Sequence, residues 1–164
     1  MRVKVMLMIA LLAALAACGQ PSAPSAPQAP SLDTGAPASD ASLVTPAIAA
    51  AIKAMPSPYN QADYTNGRRV FLQCRSCHQT AKDAPATVGP NLYGVFGRKA
   101  GAAPGYAYSE VMKNAGWTWD EAKIDQWIEN PAKTLPGTRM TFAGLRDPDA
   151  RRDVIAYLKI ETSK

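Results

Sequence analysis

The chain has 164 residues, 47% of them hydrophobic and 19% charged, with 18 Lys plus Arg against 13 Asp plus Glu, one His and three Cys. That length allows one ordinary domain plus extensions. The longest apolar run, Val5 to Ala17, falls short of the roughly 20 residues that a spanning helix needs, which argues against an uncleaved transmembrane anchor.

At the N-terminus, Arg2 and Lys4 precede that apolar run in the order of an export signal over residues 1–17. An exported chain does not meet nucleic acid, so the basic balance points to other partners. The run ends in Leu15-Ala16-Ala17-Cys18, which resembles the lipobox of bacterial lipoproteins and implies an acylated Cys18. Two or more acyl chains hold a soluble domain firmly at a membrane. The alternative is cleavage by the ordinary signal peptidase, with Cys18 a bystander. Residues 18–58 read as the lipidated Cys and a tether. From Gly19 to about Asp40 the composition is mostly Pro, Ala, Ser and Gln, with Leu32 the only large apolar residue. Such a segment builds no core and favours extended polyproline II at about 3.1 Å per residue. Between Thr45 and Met55 a short helix is expected, with Thr45 as N-cap and Pro46 at the first helical position. Val44, Ile48, Ile52 and Met55 form its stripe, which is expected to dock on the domain, and Pro56 and Pro58 end it.

Residues 59–164 carry helix signals without strand alternation, so the domain is expected to be all-α. A first helix over residues 61–73 puts Gly67 and Phe71 on one face and runs into two cysteines. A short helix over 109–114 is closed by Gly116. A third over 119–129 carries the capping box Thr118 with Glu121, buries Ile124, Trp127 and Ile128, and stops before Pro131. The last, over 148–161, has Asp147 as N-cap, Pro148 at the first position and the stripe Val154, Ile155 and Leu158.

At the end of the first helix stands Cys74-Arg75-Ser76-Cys77-His78, and C-x-x-C-H is the attachment signature of c-type haem. Two thiols about one helical turn apart reach both vinyl groups on one haem edge, and the adjacent imidazole then points at the iron. His78 is the only His in the chain. A thioredoxin-like dithiol would need a strand feeding the motif, and a zinc site would need at least one further ligand. If haem takes Cys74 and Cys77 and lipid takes Cys18, the cysteine count closes without a disulfide.

From Gly67 to Lys159 the motifs follow one another in the order of a known family. Gly67 and Phe71 are followed by Gly89-Pro90-Asn91-Leu92, Gly94-Val95-Phe96-Gly97-Arg98-Lys99, Pro104-Gly105-Tyr106-Ala107-Tyr108 and Trp119. Asn130-Pro131 and Leu135-Pro136-Gly137-Thr138-Arg139-Met140-Thr141-Phe142 complete the series. This stretch resembles class I cytochrome c. The resemblance implies the class I fold, with helices wrapped around one haem c bound covalently through Cys74 and Cys77. It implies His78 and Met140 as iron ligands, with the Pro90 carbonyl bonded to the His78 ring. It also makes Arg98, Tyr108 and Trp119 the residues that bond the haem propionates or support that corner, and puts Thr138 in the axial-methionine loop. In two places the chain departs from many relatives. Trp127 stands where they carry a Tyr whose hydroxyl bonds the axial sulfur, and Met112 where they carry an Asn in the same polar cluster.

His/Met ligation leaves no open iron position, so the resemblance implies a one-electron carrier and not an enzyme. A ligand-binding or peroxidase-type haem protein with a labile sixth ligand is the alternative, and a haem-free dithiol reductase a third reading. From Tyr59 onward 15 Lys plus Arg face 11 Asp plus Glu, a net of +4. Arg75, Lys82, Lys99, Lys133, Arg139 and Arg146 lie near the segments that flank the haem edge in the family. A positive rim would steer the domain onto acidic redox partners, such as a quinol–cytochrome c reductase as donor and a terminal oxidase as acceptor. A monomer facing the periplasm, held to a membrane through Cys18, is expected.

Overall fold

A computed structural model describes residues 43–163. The export signal, Cys18 and most of the Pro/Ala-rich segment, all read from the sequence, lie outside the described residues. Among the described residues six α-helices and one 3₁₀ turn carry the fold: α1 (Pro46–Lys53), the turn Tyr59–Gln61, α2 (Tyr64–Arg75), α3 (Glu110–Lys113), α4 (Glu121–Glu129), α5 (Pro131–Thr134) and α6 (Pro148–Thr162). None of them is long and apolar enough to cross a membrane.

The all-α expectation holds. Among the described residues the one pairing of extended backbone is an isolated antiparallel bridge, Lys99 with Thr118, in which Trp119 N–H donates to the Arg98 carbonyl at 2.9 Å and Ala100 N–H to that of Trp117 at 2.9 Å. Three helix boundaries differ from the sequence reading. The first helix begins at Tyr64, because the Asp63 carboxylate accepts from Asn66 N–H at 3.0 Å and so takes the cap, and it runs on through Cys74 to Arg75. α4 is capped by Asp120, whose carboxylate accepts from Lys123 N–H at 2.7 Å, while Thr118 is held in the bridge. A carboxylate also suits the positive end of the helix dipole better than a hydroxyl. α4 stops at Glu129, before Pro131 as expected, and a further short helix follows at once. Asn130 Oδ1 accepts from Lys133 N–H at 3.1 Å and opens α5, with Pro131 at its first position.

α2 and α6 form the most extensive interhelical contact. Gly67 sits in their crossing, where a β-carbon would collide with the Asp153 carbonyl and come within 2.9 Å of Tyr157 Cβ. A side chain there would force the helices apart, at about 1–3 kcal/mol or more. Phe71 and Tyr64 each pack their rings 5.3 Å from that of Tyr157. Val154, Ile155 and Leu158, all at most 5% exposed, carry the expected stripe of α6 into the main core, with Trp119, Ile124 and Trp127 opposite.

α4 joins α6 through the largely buried Arg151, whose Nε donates to Asp125 at 2.9 Å. The same guanidinium donates to the Leu145 and Arg146 carbonyls at 3.0 and 2.9 Å. One side chain thereby fixes the loop that follows Met140 to two helices. α1 forms as expected, with Thr45 Oγ1 accepting from Ile48 N–H at 3.3 Å, and its buried Ile52 packs with Tyr64 and Ile160.

Candidate functional site

The end of α2, with Cys74, and the turn that follows it, with Cys77, bring both cysteines to the wall of a cavity of about 340 Å³. The backbone turns tightly after the helix, with Cys77 and His78 N–H donating to the Cys74 carbonyl at 3.1 and 3.0 Å. The loop from 79 to 92 folds back over the motif. Gly89 N–H and Thr87 Oγ1 both donate to the Cys77 carbonyl, at 2.8 and 2.6 Å, and Leu92 N–H donates to Gln79 at 2.8 Å. Gly89 lies so close to the His78 imidazole that a β-carbon there would meet Nδ1 at 2.7 Å. The ring is thus pressed between loop backbone and cavity.

His78 Nδ1 lies 2.8 Å from the Pro90 carbonyl oxygen. A carbonyl only accepts, so Nδ1 carries the proton and Nε2 keeps its lone pair for a metal. Burial holds the imidazole below the ordinary histidine value, while the Pro90 bond pulls the other way. Burial also pushes the Cys74 thiol up to about 11, with Cys77 adding to the shift. A dithiol reductase needs a depressed thiol pKa, so this environment argues against that reading of the motif.

Met140 lines the same cavity as Cys74, Cys77 and His78. Its backbone N–H donates to Thr138 Oγ1 at 3.2 Å, Thr138 N–H donates to Leu135 at 3.1 Å, and Leu145 N–H donates to Ile128 at 2.8 Å. Pro90, Arg98, Tyr108, Trp119 and Thr138 also border the cavity, so all the site residues read from the sequence within the described region converge on it. Arg98 donates to the Tyr93 and Asn91 carbonyls at 3.0 and 2.9 Å, which places its guanidinium as a brace for the 91–93 loop. Desolvation lowers the Arg98 pKa and raises that of Tyr108.

The apolar lining includes Leu92, Val95, Ile124 and Leu158. Trp119 and Trp127 add an aromatic wall, their ring centroids 5.7 Å apart and Trp117 packed behind at 5.6 and 6.5 Å. Met112 and Trp127, the two departures noted above, are each 7% exposed and both line the cavity. The sequence reading did not single out Tyr106, which lines the cavity with Val88 and whose hydroxyl donates to the Val88 carbonyl at 3.1 Å. Its place beside Tyr108, with ring centroids 4.8 Å apart, was the available signal.

Two thiols, one oriented imidazole and a thioether on an apolar cavity fit a planar metallocycle attached through two thioethers, which defines a haem-c-binding domain. A family model described as cytochrome c matches residues 64–160. Cytochrome c2 of Rhodomicrobium vannielii is 48% identical over 111 residues, covering 68% of this chain and 89% of that protein. Cytochrome c2 of Rhodoblastus acidophilus is 50% identical over 92 residues, 56% of this chain and 86% of that protein. The solved structure of cytochrome cH from Methylobacterium extorquens aligns with a TM-score of 0.57 at 45% identity, over 60% of this chain and 99% of that one.

The chain belongs to the class I cytochrome c family. It is an electron carrier and not an enzyme, with haem c held covalently through the C-x-x-C-H motif of Cys74, Cys77 and His78, and redox proteins as its partners. Haem supplies the reversible ferric/ferrous couple. The residues described above supply attachment, a fixed imidazole tautomer and a wall that keeps water out.

Proposed function

We propose that the protein is a lipid-anchored, periplasm-facing carrier in the bacterial cell envelope that shuttles single electrons between membrane redox complexes, with iron ligated by His78 and Met140. The observation that carries this reading is that both side chains border one cavity together with the two cysteines. His78 would hold the iron through its imidazole and Met140 through its thioether, a donor pair that would leave substrate no free position and would favour the ferrous state. Arg98, Tyr108 and Trp119 are the groups assigned to the propionate side, where donors offset the cost of burying carboxylates, and Thr138 belongs to the loop that carries Met140. Pro90 acts on the cofactor through the His78 ring.

Donors of the quinol–cytochrome c reductase type and acceptors of the terminal oxidase type suit this chemistry. Arg75, Lys82, Lys99, Lys133, Arg139 and Arg146 are all exposed, and Arg139 borders the cavity. A basic rim of this kind steers a carrier onto acidic surfaces. The domain acts as a monomer, and Cys18 carries the lipid.

Met140→Ala tests the ligand assignment. The variant keeps covalent haem, loses the methionine-to-ferric charge-transfer band, lowers its potential and binds carbon monoxide. An intact band would assign the sixth position to another residue. Cys18→Ser tests the anchor by moving the protein to the soluble periplasmic fraction with its haem spectrum unchanged. Retention on salt-washed membranes would exclude the lipid.

A further inference from the structure

Met140 rides on a loop whose hydrogen bonds hold it only at its two ends. Residues 136–144 bond among themselves and to Leu135, and among the described residues no hydrogen bond joins them to the rest of the domain. The entering limb is tied by Thr134 Oγ1, which donates to the Gln126 carbonyl of α4 at 2.9 Å. The leaving limb is tied by Leu145 N–H, which donates to Ile128 of α4 at 2.8 Å, and by Arg151 Nη1, which donates to the Leu145 and Arg146 carbonyls at 3.0 and 2.9 Å. Arg151 thus makes two of the three hydrogen bonds at residues 145 and 146.

Arg151 belongs to α6, and what orients it belongs to α4. Its side chain is only 10% exposed, and among the described residues its one ion pair is with Asp125, which accepts from Nε at 2.9 Å. A guanidinium is a rigid plane, so a carboxylate that fixes Nε also fixes where Nη1 points. Removing Asp125 leaves a nearly buried cation without its counter-charge, a costly state that is relieved when the guanidinium turns to water. Both carbonyls of the leaving limb are then released. Neither Asp125 nor Arg151 borders the cavity, so any effect on the site passes through the loop.

We propose that Asp125 is a positioning residue for Met140: by fixing the Arg151 guanidinium it latches the leaving limb of the loop and governs how often the thioether leaves the iron. This rests on the reading of Met140 as a ligand given above. Two helices that the loop itself does not belong to are thereby locked in register around its end, and the latch works at a distance from the reacting atoms.

The test uses full-length haem-loaded ferric protein and imidazole, a small ligand that enters only after Met140 leaves, followed as loss of the methionine-to-ferric charge-transfer band. At saturating imidazole the observed rate is the rate of loop opening. Asp125→Ala raises that limiting rate about fivefold or more, while the band before imidazole is added stays intact. Amide exchange over residues 140–146 quickens in the same variant. Asp125→Glu, which keeps the carboxylate, stays within about twofold of wild type. Asp153→Ala, which weakens the distant crossing of α2 and α6 instead, leaves the limiting rate near that of wild type. If Asp125→Ala fails to fold around haem, Asp125→Asn removes the charge at nearly the same shape and reads the same rate. An unchanged limiting rate in the Asp125 variant, or an equal rise in Asp153→Ala, would overturn the latch while leaving Met140 as the ligand. Wild type without the methionine–iron band would overturn the ligand reading and the latch together.

Discussion

Asn66 Nδ2 donates to Asp153 Oδ2 at 2.8 Å, across a sequence separation of 87, and joins the first turn of α2 to the middle of α6. Asp153 is 2% exposed, and its other oxygen accepts from Asp63 N–H at 3.0 Å and from the Arg152 guanidinium at 2.8 Å. One carboxylate thus satisfies an otherwise free amide at the start of α2, an Asn side chain and a cation. The backbone carbonyl of the same residue is what Gly67 packs against, the contact that sets how closely the helices approach.

Asp153→Ala is expected to destabilise the haem-loaded protein by about 2–3 kcal/mol, because it strands three donors at a helix crossing. Arg152 can regain water, which keeps the loss below the top of the range for buried pairs. Asn66→Ala removes the bond to Asp153 and a long, exposed one that Asn66 Oδ1 accepts from Arg69 at 3.5 Å, and costs about 1 kcal/mol. Denaturant unfolding followed by far-ultraviolet circular dichroism checks both values. The visible spectrum of each folded variant stays as in wild type.

Tyr64 gives the stability a defined pH dependence. Its hydroxyl donates to Glu161 Oε1 at 2.8 Å, and burial first, then that bond, raise its pKa above the ordinary 10.0. The unfolded chain loses the proton near pH 10, whereas the folded chain keeps it to higher pH. Stability from this group is therefore full below about pH 10 and falls as pH rises further. Tyr64→Phe is expected to cost about 1 kcal/mol at pH 7 and to show a shallower decline between pH 9 and about 11. Paired unfolding curves at the two ends of that window measure the difference. A decline as steep as that of wild type would assign the alkaline loss to other tyrosines, of which Tyr59, Tyr108 and Tyr157 are also raised by burial.

Met112 and Trp127 bear on the redox potential. Both are buried on the cavity wall, where a thioether and an indole replace the amide and phenol that the resemblance places there in many relatives. A drier, less polarisable wall disfavours the ferric net charge and so raises the potential. Met112→Asn combined with Trp127→Tyr is expected to lower the midpoint potential and to shift loss of the methionine–iron band to lower pH. Redox and pH titrations beside wild type decide the matter, and a higher potential in the double variant would refute it.

Much of the site was legible because its chemistry is written locally. C-x-x-C-H needs only one helical turn to set two thiols and an imidazole in order, and Asp147-Pro148 or Thr45-Pro46 mark helix starts within a few residues. Capping at α4 was misread for an equally local reason: Thr118 and Asp120 both offer an oxygen, and only the pairing of Thr118 with Lys99 leaves the end of the helix to Asp120. Asp153 carried no sequence signal as a clamp, since its partners Asp63 and Asn66 come from the far end of the domain. Nor did the sequence say on which side of α6 the stripe of α1 would settle. By itself the sequence determined the helical class, the attachment motif and, by resemblance, the residues that converge on the cavity. Tertiary structure alone decided how closely α2 approaches α6, how Arg151 ties down the Met140 loop and where α1 is seated. These are contacts between distant segments, and their free energy exists only once packing has excluded water from both partners.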